Sequence, residues 1–303
     1  MLISKRVRLH TIVSGTWKLL ILDLISCSGT YWIYSFFISP HYEMPGLIPS
    51  VLGTALAFFI GFNNNQAYDR WWEARKIWGA LVNDSRTWAR QIIYFHHKEA
   101  LNKSEISMES RKMIHRHISF LYALKQALRK TSDNEYKKYL SENDIAYVEQ
   151  ESNKPNAILT IQTKELNQLY GENRFDGFKF IELNKMLVNF CDHMGKSERI
   201  LNTIFPTTYN YYTRIFIWVF IVFVTMEVSE SVGAFAIPIG TLIGYVFLTT
   251  HSIGQTLLNP FEDLPTGIPL NQITRTIEIN LLETLGDSEI PEPVQPIDDE
   301  YVM

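Results

Sequence analysis

Positive charge is missing from two long stretches of this chain. Lys5, Arg6, Arg8 and Lys18 occupy the first eighteen positions, the next basic residue is Arg70, and after Arg214 there is none until Arg275. Cysteine is scarce too. Two residues, Cys27 and Cys191, are too few and too far apart for a disulfide scaffold or a multi-cysteine zinc site. With a formal charge of −4 and a sequence pI near 6.1, the chain lacks the basic surplus of a protein that binds nucleic acid by phosphate neutralisation. Recurring catalytic patterns are absent as well: there is no G-x-S-x-G elbow and no H-E-x-x-H. Gly195-Lys196-Ser197 ends like a phosphate-binding loop, but Phe190 stands where its first glycine is needed. No catalytic residue, metal ligand set or cofactor is expected.

What is present is apolar and positionally sorted. The mean hydropathy of −0.05 averages two unlike materials. Residues 19–69 and 215–274 each have room for two membrane crossings and a turn, since one crossing needs about 20 apolar residues. In the first stretch, Trp17–Ile38 and Leu47–Phe62 are the crossings and Ser39–Gly46, with its Pro and Gly, is the turn. In the second, Thr213–Met226 leads to an acidic turn at Glu227–Ser231, and Val232–Leu258 is the last crossing. Both turns carry Glu and no Lys or Arg. The positive-inside rule therefore puts both termini and the middle segment in the cytoplasm. Trp17, Trp71, Trp72, Tyr209 and Tyr211 sit at the expected ends, where an interfacial aromatic belt would have them. The N-terminal apolar run is long and is not followed by an A-x-A-like site, so it reads as an uncleaved crossing rather than a signal peptide.

The expected organisation is an all-α integral membrane protein in four parts. Residues 1–69 are an N-terminal segment and first hairpin, 70–205 a cytoplasmic helical region, 206–262 a second hairpin, and 263–303 a cytoplasmic C-terminal helix and tail. Trp71, Ala74, Trp78, Leu81, Trp88 and Ile92 keep a three-four spacing, so the second crossing should run on into the cytoplasm as one helix. Further helices are expected at Ser107–Arg129, Phe175–Arg199 and near Gln272–Leu285, with a capping signature at Ser141–Asp144. The PEPVQPIDDEYVM tail is too poor in apolar residues to fold alone, so it is either free or laid over a partner surface. His96-His97 and His115-x-His117 read as solvated or capping histidines, because neighbours at these spacings point to different faces of a helix.

The second crossing carries the functional signal. Gly53, Ala57 and Gly61 form a small-residue ridge at four-residue spacing that permits close helix approach. One residue round, Thr54, Phe58 and Phe62 repeat at the same spacing, a stripe that either lines the axis of a helix ring or faces lipid. Asn63, Asn64, Asn65 and Gln66 follow, amides that call for water or protein rather than lipid and so suggest a hydrated vestibule. Ala236, Gly240 and Gly244 make a second small ridge, and Asp23 is an intramembrane acid that should face protein or water.

Phe62–Gly79 (FNNNQAYDRWWEARKIWG), with its Arg70-Trp71-Trp72 core, and Asn259-Pro260-Phe261 after the fourth crossing resemble the bestrophin family of ion channels. The closer likeness is to its bacterial homologues, and it extends from Arg6 to about Leu285. The resemblance implies a homopentamer in the plasma membrane (the bacterial inner membrane), with a single pore lined by the second crossing. It implies Thr54, Phe58 and Phe62 as the neck, and Phe205, before Pro206, as the cytoplasmic aperture. Glu227 and Glu230 become candidate mouth residues, with Asn63 and Asn64 in the vestibule. Animal members follow N-P-F with an acidic run that helps bind calcium. Only Glu262 and Asp263 follow it here, so calcium-independent conduction is expected. The partners implied are further copies of the chain, membrane lipid and small monovalent ions, chloride-like anions first. A cation-selective channel of the same fold and a membrane-anchored scaffold are the alternatives.

Overall fold

A computed structural model describes residues 9–95, 106–204, 207–297 and 301. Among them there are nine α-helices and no β-strand, only an isolated bridge between Ile297 and Tyr301. The helices are α1 (Leu9–Ile33), α2 (Leu47–Tyr94), α3 (Met108–Arg129), α4 (Glu142–Gln150), α5 (Lys154–Gly171), α6 (Gly177–Asn202), α7 (Thr207–Val232), α8 (Ala236–Thr256) and α9 (Leu270–Leu285). The described chain forms two compact units. The first is built mainly from Trp72–Thr203 and the segment from Asn259, the second from the segment ending at Trp71 and from Ile204–Leu258.

In the second unit α1, α7 and α8 pack on one another, and α2 joins them through Leu56 and Ile60. Their shared core is Cys27, Leu56, Ile60, Ile217, Phe220, Ile221, Val224 and Leu248. Gly15–Ile38, Leu47–Tyr94 and Thr208–Thr256 are long and apolar enough to cross a membrane by length and composition. Large apolar side chains such as Trp32, Phe36, Phe37, Phe235 and Leu242 lie exposed around this unit. A soluble surface rarely leaves so much apolar area uncovered, whereas lipid covers it without cost. The small ridge of α8 serves close packing inside the chain: a Cβ on Gly240 would meet Thr225 Oγ1 at 2.5 Å, and one on Gly244 would meet the Asp23 carboxylate at 2.5 Å. Asp23 is fully buried and accepts the Cys27 S–H at 3.6 Å, so it faces protein as expected.

Two boundaries differ from the sequence expectation. The Glu227–Ser231 segment is not a turn, because α7 continues through it to Val232. Nothing in that segment breaks a helix, and Ser229 donates its hydroxyl back to Met226 O at 2.6 Å. The reversal comes at Gly233–Phe235, a 3-10 turn entered through Gly233 at φ +57°, where a helix of L residues stops. The first apolar helix also ends differently, in a π-helical turn over Tyr34–Ile38 with Ser39 N–H donating to Tyr34 O at 2.8 Å.

In the first unit the expected cap at Ser141 is in place, and three further caps accompany it. Ser107 accepts from Ser110 N, Ser141 from Asp144 N, Asn153 from Asn156 N, and Asp176 from Lys179 N, so α3 to α6 all begin on a side-chain cap. Ala74, Trp78, Leu81, Trp88 and Ile92 of α2 are buried, as their spacing predicts. α9 buries Ile273, Ile277, Leu281 and Leu285 and packs on α3. The start of the tail is pinned, since Asp287 pairs with Arg111 and lies 3.7 Å from His115. His117 corrects the expectation of a solvated or capping histidine. It is fully buried, its ring lies tilted against Phe190 at 4.2 Å, and it is 2.8 Å from Ser85 Oγ. Trp88 of α2 and Phe190 of α6 pack on its ring and help enclose it. His96 and His97 lie outside the described residues.

Candidate functional site: the exposed face of α2

The α2 helix buries one face and bares the other. Leu56, Ile60, Asn63 and Ala67 are at most 2% exposed, while Phe58 and Phe62 are 63% and 50% exposed. At 100° per residue the two sets lie on opposite sides of the helix, with Thr54 above the two phenylalanines. Thr54 donates its hydroxyl to Ser50 O at 2.8 Å, and this internal bond leaves its methyl as the outward group. The Phe58 and Phe62 rings meet edge to face, 4.5 Å apart at 73°. This geometry is favoured by the ring quadrupole, so the two rings brace one another without a partner from elsewhere in the chain.

Three contacts hold the opposite side. The Phe220 ring of α7 fills the notch at Gly53, where a Cβ would come within 2.8 Å of it. Tyr209 of α7 donates its hydroxyl to the Phe59 carbonyl at 3.0 Å, and its ring meets the Phe59 ring at 6.2 Å. Asn64 donates to Thr250 O of α8 at 3.0 Å, and a Cβ on Gly254 would strike the Asn64 side chain. The small ridge of α2 is therefore divided: Gly53 is used inside the chain, while Ala57 is exposed and a Cβ on Gly61 would meet open space. Sequence reading missed Tyr209 as a clamp because an interfacial tyrosine and a hydrogen-bonding one have the same composition signal.

The remaining predicted site residues take up distinct positions. Asn63 is 1% exposed and has no hydrogen-bond partner for either side-chain atom, so it faces the packed side of α2 and not the Phe face. Asn65 and Gln66 are exposed. Glu230 accepts from the Tyr34 hydroxyl and from Met44 N at 2.5 Å, and Glu227 lies against Gly46. Both acids thus hold the loop between α1 and α2. Phe205 lies outside the described residues. In the first unit the two acids after Asn259-Pro260-Phe261 are engaged: Glu262 accepts from Asn259 Nδ2 at 3.0 Å, and Asp263 pairs with Arg129 at 2.7 Å.

Comparison with known proteins gives a consistent family. A voltage-dependent anion channel-forming protein of Escherichia coli K12, YneE, is 30% identical over 248 residues, covering 82% of this chain and 79% of that protein. One from Ralstonia nicotianae is 26% identical over 242 residues, covering 80% of this chain and 78% of that protein. The crystal structure of a bacterial bestrophin homologue from Klebsiella pneumoniae superposes with a TM-score of 0.82 at 24% identity, over 89% of this chain and 98% of that one, and so has the same fold. The family model described as bacterial/fungal bestrophin protein matches residues 5–283, and the chain belongs to that family.

Proposed function

We propose that the chain is one subunit of a homopentameric channel that passes small monovalent anions such as chloride passively across the bacterial inner membrane. The observation that carries this is the bared Thr54–Phe58–Phe62 face, an aromatic stripe braced edge to face on a helix whose other side is fixed. Each subunit crosses the membrane four times, by α1, the first part of α2, α7 and α8. Both termini and residues 70–205 lie in the cytoplasm, on the side where the basic residues are concentrated. Five copies of the stripe form a hydrophobic neck that gates by dewetting. Phe205 forms the cytoplasmic aperture, Glu227 and Glu230 border the outer mouth, and Asn63 and Asn64 support the vestibule from the packed side of α2.

Anion passage is supported by the names of the relatives and by ring chemistry: aromatic edges carry partial positive charge and tolerate a partly dehydrated anion. A cation-selective channel of the same fold is the second reading, favoured by Glu230, an exposed acid at the α7 end of the unit, because acidic rings select cations. Conduction is independent of calcium: Arg129 and Asn259 already occupy the only two acids that follow N-P-F.

The test is purified protein in a planar bilayer under a salt gradient. A reversal potential on the chloride side supports the anion reading, and one on the cation side replaces it with the second. Phe58→Ala should widen the neck and raise the current. Unchanged conductance and open probability in that variant would remove Phe58 from the neck.

A further inference from the structure

Away from the Phe face, the second unit has a cavity of about 340 Å³ between Leu19 of α1, the start of α7 and the end of α8. Its volume is in the range of small-ligand sites, about 300–1,000 Å³. Arg214, the one basic residue between Arg199 and Arg275, lines it from an exposed position and has no acidic partner among the described residues. His251 lines it from α8, is only 7% exposed, and its Nδ1 has no hydrogen-bond partner. Tyr211 and Ser252 add two hydroxyls, while Leu19 and Leu248 give the wall an apolar part. Gln255 donates to Asn210 Oδ1 at 2.8 Å, tying α8 to α7 beside the cavity.

An exposed guanidinium two turns into α7 is free to meet an anionic group. Its planar fork matches the oxygens of phosphate, and Tyr211, His251 and Ser252 line the same cavity. We propose that this cavity binds a phosphate group, either on an anionic phospholipid headgroup or as free phosphate, with Arg214 as the charged anchor and His251, Tyr211 and Ser252 as hydrogen-bonding partners. The apolar Leu19 and Leu248 then receive the first part of an acyl or glycerol chain when the source is lipid. This goes beyond the channel reading and needs only that the second unit lies in a membrane; it is indifferent to which ion the pore passes.

The full-length protein in detergent is titrated with dioleoyl phosphatidylglycerol, with dioleoyl phosphatidylcholine and with inorganic phosphate, following its unfolding temperature. Wild type should be stabilised by phosphatidylglycerol at about tenfold lower concentration than by phosphatidylcholine, Arg214→Gln should abolish that preference, and Arg214→Lys should keep part of it. Stabilisation by inorganic phosphate that Arg214→Gln abolishes identifies free phosphate as a ligand; stabilisation by phosphatidylglycerol alone identifies the headgroup. Equal effects of the two lipids on wild type with none from phosphate, or a preference undiminished in Arg214→Gln, overturns the proposal. If Arg214→Gln does not yield folded protein, Tyr211→Phe combined with Ser252→Ala replaces it, and an unweakened preference there overturns the proposal equally.

Discussion

Acidification should loosen the α3 region of the first unit between pH 7 and 5, and His117 is the reason. Ser85 donates its one hydroxyl proton to Leu81 O at 2.6 Å, so its oxygen can only accept from His117 Nε2, 2.8 Å away. That makes His117 the neutral Nε2–H tautomer, and its Nδ1 has no partner. Protonation would put a second N–H, and a charge, into a site walled by Trp88, Phe120 and Phe190. Burial accordingly pushes the imidazole down to about 3 from its ordinary 6.5. The sign follows: a histidine whose folded pKa lies below its unfolded one keeps its full stabilising contribution above pH 6.5. Between that value and about 3 the unfolded chain takes up a proton that the folded chain refuses, and stability falls with pH. From pH 7 to pH 5 the loss is about 2 kcal/mol, roughly a 25-fold rise in the opening constant. Carboxylates do not contribute in this window, since their unfolded pKa values lie near 4. His115, also held down by burial, acts in the same direction, so the comparison is with a variant and not with wild type alone. Hydrogen exchange of the α3 amides around Ile118, corrected for the intrinsic pH dependence of exchange, reads the opening constant. His117→Leu should flatten most of the slope. Equal slopes in wild type and His117→Leu refute the reasoning.

Other expectations follow from close contacts and charge pairs. Gly244→Ala drives a methyl into the Asp23 carboxylate and should cost about 1–3 kcal/mol by overpacking, read as a lower unfolding temperature in detergent. The double variant Asp23→Ala, Gly244→Ala should recover part of that loss. Tyr209→Phe removes the hydroxyl that holds the Phe59 carbonyl, a loss of about 1 kcal/mol, and should broaden the distribution of single-channel amplitudes without changing the reversal potential. Chelation of calcium should leave bilayer currents unchanged, and currents that vanish on chelation and return with added calcium contradict the engagement of Glu262 and Asp263.

How much of this was legible in the sequence depends on the distance over which each feature is decided. The cap at Ser141 and the single long α2 are set within a few residues, and the pattern showed them. The two basic-free stretches were equally plain, because charge is sorted by the membrane and not by any particular partner. The end of α7 was misjudged since an acidic run looks like the exit from lipid, although only Gly233 has the backbone freedom to stop the helix. His117 was misjudged for the opposite reason: an i,i+2 pair cannot share one helix face, but a residue may be enclosed by helices arriving from α2 and α6. The ridge on α8 announced close packing correctly without saying that Asp23 and Thr225 of the same chain would fill it.

The same distinction bears on α2. A stripe of Phe58 and Phe62 by its spacing alone suits lipid as well as a pore. Lipid, however, asks nothing of the precision with which a helix is rotated, and α2 is held in rotation at three levels. Phe220 is seated in the Gly53 notch, Tyr209 holds the Phe59 carbonyl, and Asn64 holds Thr250 O. Two of these are hydrogen bonds, and the third spends a glycine inside a helix, which costs about 1 kcal/mol relative to alanine. Contacts at Gly53, Phe59 and Asn64 limit the angle at which Thr54, Phe58 and Phe62 leave the helix. Such a limited angle is what the proposed neck requires, since side chains from several copies would have to meet at one radius.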